Sequence, residues 1–186
     1  MRGRSQRLLV VCFLVALLSG LYIVPANAYA LEGVYWSGSS SLNFCEGSSV
    51  QVHASWQGFI DTDVSHYNYL SNSAPWWNDI TNCHSPDIQF SVSTTLPLGT
   101  CMQTQITSNF LNHIESPVII LFNSKYIFGN YNDSTHCAFD NAVLHEFGHS
   151  QGLAHSQTTL AVMWHVEQTY TNVQTDDVNG MKAIYP

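Results

Sequence analysis

The chain has 186 residues, 45% of them hydrophobic and 10% charged, with a formal net charge of −8. Five Lys and Arg against 13 Asp and Glu leave no basic surface for nucleic acid or for an anionic membrane, so neither is expected as a partner. The length suits one domain with its own hydrophobic core.

In chain order, Arg2, Arg4 and Arg7 precede an apolar run from Leu8 to Leu18, and small residues follow at Ala26, Ala28 and Ala30. That is the pattern of a secretory signal peptide, so residues 1–30 are expected to be a leader cut after Ala28 or Ala30, and residues 31–186 the mature domain. The apolar run is shorter than the roughly 20 residues a spanning helix needs. The expectation is a secreted, extracellular monomer with no membrane attachment after cleavage. Once the leader is gone, Lys125 and Lys182 are the only cationic residues. Such acidity keeps an exported chain soluble and also suits cationic substrates.

Cys12 leaves with the leader, and Cys45, Cys83, Cys101 and Cys137 remain. No pair has C-x-x-C spacing, so two disulfides are expected rather than a zinc cluster. Three connectivities are open; the preferred one joins Cys83 to Cys101, closing a short loop, and Cys45 to Cys137.

Val34–Trp36 and Leu42–Phe44 are short strand candidates. Phe59, Ile60, Val64, Tyr67 and Leu70 recur every three to four residues and predict a helix, capped by Asp61 or Thr62 and stopped by Pro75. Asp87 to Val92 alternates as a half-buried strand does. Residues 94–117 are turn-rich and hard to read. The continuous apolar run from Pro117 to Phe122 predicts a central strand buried on both faces. After a loop through Gly129, Asn130, Asn132 and Asp133, a strong helix runs from Phe139 to Gln151 and stops at Gly152. Thr175 or Asp176 opens a last helix through Val178, Met181, Ile184 and Tyr185. The mix is α+β.

The chemistry concentrates in His145-Glu146-Phe147-Gly148-His149. Histidines four apart on a helix stand one turn apart on one face, where both imidazoles can meet one metal ion. Glu146 points slightly to the side and can reach a water there without being a ligand. His155 lies six residues past His149, with Gly152 between them, so the chain must turn back after the helix to bring in a third imidazole. Three neutral histidines leave a fourth zinc position open, as catalytic sites do. The expected metal ligands are His145, His149 and His155, with one catalytic Zn2+ and Glu146 as general base.

This stretch resembles the metzincin signature H-E-x-x-H-x-x-G-x-x-H, with every fixed position present. Ser156 after the third histidine, the segment Ala161-Val162-Met163-Trp164 and the closing Asp176 to Tyr185 are similar to the matrixin branch, over about 45 residues from Phe139 to Tyr185. The resemblance implies a zincin-like α+β fold. Its parts would be a small twisted mixed sheet, a helix in the N-terminal half, an active-site helix carrying H-E-x-x-H, and a C-terminal helix. It implies a zinc metalloendopeptidase acting on protein or peptide substrates, Met163 as the floor under the imidazoles, and Trp164 to Tyr170 as the wall of a specificity pocket. No cysteine-switch motif, second zinc pattern or hemopexin-like segment is recognisable, so a minimal catalytic module is expected. The alternative is a zinc-loaded binding protein of the same fold, against which the retained Glu146 argues. His165 is expected to be exposed or satisfied, and His53, His66, His84, His113 and His136 show no ligand spacing. Asp61, Asp63 and Asp133 leave Ca2+ possible without any calcium-loop motif. Asn132-Asp133-Ser134 is a glycosylation sequon.

Overall fold

Ile88 and Phe90 are fully buried while Gln89 and Ser91 are half-buried, the alternation of a strand with one face in the core. In the computed structural model, which describes residues 29–38, 41–80, 82–129 and 136–186, this strand is the middle of a five-stranded sheet. The leader falls outside these residues except for its last two, and the sequon 132–134 falls outside them entirely. The sheet is built from β2 (Ser41–Glu46), β3 (Trp76–Asp79), β4 (Ile88–Ser93), β5 (Met102–Ser108) and β6 (Ile114–Asn123), in the order β3-β2-β4-β6-β5. β1 (Ala30–Leu31) lies apart, paired with a later strand. Strands β3, β2, β4 and β6 run parallel, with Phe44 beside Ile88 and Ile88 beside Val118. β5 runs antiparallel to β6 at the edge, with Met102 beside Phe122.

One expectation about this sheet needs correction. The run after Pro117 is not buried on both faces: Val118, Ile120 and Phe122 are buried, whereas Ile119 and Leu121 are half-buried, because the sheet, as in β4, has one face in the core. The stretch 94–117 does contain an element, β5, whose inward Met102, Thr104 and Ile106 alternate with Gln103, Gln105 and Thr107.

Helix α1 (Ser48–Gln51) is a single turn, and α2 (Ala54–Ser65) starts earlier and ends earlier than its periodicity predicts. His53 stands at its N-cap, not Asp61 or Thr62, and it stops ten residues before Pro75. The reason is aromatic. Trp56, in its first turn, packs on Phe122 at 4.8 Å, on Phe128 at 5.4 Å and on Phe139 at 5.6 Å between ring centroids, so burial of Trp56 fixes the start. Ile60, Val64 and Tyr67 are buried as expected, but Phe59 is half exposed.

The same helix buries a carboxyl. Asp63 is 2% exposed and its Oδ2 has no hydrogen-bond partner. Burial, with the charge of Asp140 behind it, pushes its pKa up to about 8. A carboxyl raised in this way is neutral in the folded chain, so its contribution is complete below the ordinary value of 3.8 and is lost as pH rises toward about 8. Asp63→Asn should therefore flatten the fall in urea midpoint across that window. An unchanged pH slope in the variant would refute this account.

β7 (Ile127–Gly129) and β8 (His136–Ala138) form a small parallel pair that leads directly into helix α3 (Phe139–Ser150). β9 (Leu153–Ala154) pairs antiparallel with β1, and helix α4 (Thr175–Ile184) closes the chain. The disulfides are Cys45–Cys83 and Cys101–Cys137, which overturns the preferred pairing. β2 and β3 are sheet neighbours, so Cys45 near the end of one meets Cys83 just beyond the other. Each bridge constrains the unfolded chain by about 3–4 kcal/mol. Among the described residues no helix is long and apolar enough to cross a membrane.

Candidate metal centre

Helix α3 buries Val143, Leu144 and Phe147 on the core side and carries Asp140 in its first turn, where a carboxylate complements the helix dipole. That leaves His145, Glu146 and His149 on the face away from the core. Its C-terminal end is held by both ends of the chain. The Trp36 indole donates to the Ser150 carbonyl at 2.8 Å, and the Tyr185 hydroxyl donates to the Gln151 carbonyl at 3.0 Å. At Gly152 the backbone takes φ +94°, its N–H closing onto the His149 carbonyl at 2.8 Å, and the chain reverses into β9. This turn brings His155 back to the helix.

The three imidazoles form a near-equilateral group. Ring centroids are 4.8 Å apart for His145 and His149, 4.9 Å for His149 and His155, and 5.2 Å for His145 and His155. One ring nitrogen from each lies within 4.8 Å of the others. The His145 Nδ1 faces the Val162 carbonyl at 2.8 Å, and the His149 Nδ1 faces the Leu153 carbonyl at 2.8 Å. A carbonyl only accepts, so both Nδ1 atoms carry hydrogen and both Nε2 atoms present lone pairs. Such backbone contacts orient metal-binding histidines. Burial, followed by the neighbouring His149, depresses His145 to about 3, so it is neutral. Nitrogen donors converging in this way fit a zinc ion.

Glu146 lies beside this group. Its Oε2 is 2.7 Å from the Thr104 hydroxyl of β5, which is also 2.7 Å from the Glu146 carbonyl. A cleft of about 400 Å³ opens here, lined by Gly99 to Thr104, His165, Glu167, Glu146 and the three histidines. Two residues of this surroundings carry no sequence signal. Thr104 looks like any strand threonine, and Glu32, whose Oε1 is 3.4 Å from the His149 Nδ1, follows the two-residue strand β1.

Met163 is 2% exposed and packs directly on Gly148, where an added Cβ would stand 2.3 Å from its sulfur. Its segment is fixed by the buried Asp177, whose carboxylate accepts the backbone N–H groups of Val162 at 2.9 Å, Met163 at 3.1 Å and Gln174 at 2.9 Å. Ser156 donates to Asp176 at 2.7 Å. His165 is exposed and lines the cleft. Of the segment 164–170 expected to wall a pocket, His165 and Glu167 line this cleft, and Thr169 and Tyr170 line a smaller adjoining hollow with Asn141.

Among the described residues His53, His66, His84, His113 and His136 join no group of three metal-binding side chains. His53 stacks on Trp56, and His113 meets Tyr35 edge-on. Of the acidic residues considered for calcium, Asp61 gathers with Glu46 and Asp79, Asp63 faces Asp140 in the core, and Asp133 lies outside the described residues. Cys101 and Cys137 stand close to Glu167 but are joined as a disulfide and offer no thiolate.

The α+β domain thus gathers three histidines around the end of one helix, within reach of a single metal ion. Residues 107–186 match the family model described as Matrixin, which supports a matrixin-like metallopeptidase domain and points to zinc as its metal. It begins in β5 and takes in all three histidines, Glu146, Met163 and α4. No curated protein matches the chain.

Proposed function

We propose that the protein is a secreted zinc endopeptidase in which His145, His149 and His155 hold the metal and Glu146 is the general base. The observation that carries this reading is the convergence of three imidazoles, two of them oriented by backbone carbonyls, and one half-buried carboxylate along an open cleft. Bound zinc supplies Lewis acidity, which polarises a peptide carbonyl and makes a nearby water more acidic.

The protein's own groups do the rest. Val162 and Leu153 fix the tautomers of two histidines through their carbonyls. Thr104 holds one oxygen of Glu146, so the other is left to take a proton from water and deliver it to the departing amine. β5 is an edge strand beside the cleft, and an extended peptide can add to it through main-chain hydrogen bonds. Proteins and peptides are therefore the substrate class. Export is supported by the leader pattern and the two disulfides. Since β1 starts at Ala30, cleavage after Ala28 keeps that strand whole.

Casein cleavage by the purified chain tests the reading. A zinc chelator should abolish it, and restored zinc should return it. Cleavage that survives complete removal of the metal would overturn the proposal.

A further inference from the structure

Outside the histidine site, a second group of side chains has metal-binding spacing. Glu46 ends β2, Asp79 ends the neighbouring strand β3, and Asp61 lies on α2. One carboxylate oxygen from each falls within 4.8 Å of the other two. Asp61 and Asp79 are exposed, whereas Glu46 is 4% exposed and its Oε1 has no hydrogen-bond partner.

Three carboxylates this close repel one another, and burial of an unpartnered carboxylate oxygen is costly. The two lysines of the domain do not relieve this: Lys125 is committed to the Leu96 carbonyl at 2.6 Å, and Lys182 is on α4. Asp63 is the useful contrast. It is sealed in the core, where only a proton can neutralise it. Glu46 instead lies against two exposed carboxylates, which stand between it and solvent. We infer that Glu46, Asp61 and Asp79 bind a calcium ion, with Glu46 as the inner ligand and water completing the shell.

The chemistry selects the ion. All donors are hard oxygens, which suit calcium rather than zinc. Oxygens on opposite sides of a calcium shell are roughly 4.6–5.2 Å apart, so donors already within 4.8 Å need little movement. The bound ion would tie α2 to the ends of β2 and β3, next to the Cys45–Cys83 bridge. The inference does not depend on the peptidase reading, because none of these residues lines the histidine cleft.

The test is calorimetric and thermal, on the full mature chain dialysed into calcium-free buffer. Titration with calcium chloride should give one site per chain, and about 10 mM calcium should raise the Tm by about 5 °C. Asp79→Asn, at an exposed position, should abolish both responses. Glu46→Gln should abolish them too, while matching or exceeding the calcium-free Tm of the parent, since it removes repulsion. A parent chain without heat or Tm shift would overturn the inference, as would calcium binding unchanged in both variants. So would an equal shift with sodium chloride of matched ionic strength, which would be screening alone.

Discussion

Glu146→Ala should keep one zinc per chain and lose cleavage by about a thousandfold or more. The two halves of this result come from different features of the site. Zinc retention follows because the metal-binding group consists of three imidazole nitrogens and does not include the carboxylate. Loss of turnover follows because Glu146 lines the cleft beside those nitrogens and is held by Thr104, and general-base groups contribute about 10²–10⁴ in rate. Zinc content by elemental analysis and kcat/KM on a fluorogenic peptide measure the two halves separately. A variant that cleaves at the native rate would remove Glu146 from the mechanism. Loss of both zinc and turnover would place Glu146 among the supports of the metal instead.

The second large effect is expected at Gly152. Its φ of +94° is a conformation that costs an L-residue about 1–2 kcal/mol, and an added Cβ would stand 2.1 Å from the Val34 carbonyl oxygen. Because that neighbour is backbone, it cannot swing aside. Gly152→Ala should thus cost on the order of 3 kcal/mol or more, lowering the Tm by about 10 °C. Zinc affinity should fall with it, since Leu153, the next residue, orients His149 and leads the chain to His155. Gly58→Ala is the matched control: it lies within α2 with nothing within 4 Å of the new Cβ. It should raise stability by about 0.5–1 kcal/mol. If the Gly152 variant melts no lower than the Gly58 variant, the turn does not position the third histidine.

The histidine group was legible in the sequence because its parts are local. His145 and His149 share one helix, Gly152 marks its end, and His155 follows at once. Helices α3 and α4 were legible for the same reason. What supports the site was not, because it comes from elsewhere in the chain. Thr104 reaches Glu146 across 42 positions, and the Trp36 indole reaches Ser150 across 114. β5 went unseen because polar Thr104 stands in the middle of its inward row. β3 is hidden behind Pro75, a residue that suggests a helix end although α2 already stops at Ser65. The disulfides depended on which strands are neighbours, and spacing along the chain carries no such information.

The pairing of β1 with β9 bears on when activity can begin. Leu31 is paired with Leu153, and Tyr29 sits against Gly180 in the final helix. The first described residues therefore find their partners only among the last to be synthesised. A chain emerging amino end first therefore leaves β1 without its partner until the histidine loop and the final helix have been made, so the order of synthesis delays the fastening of that loop.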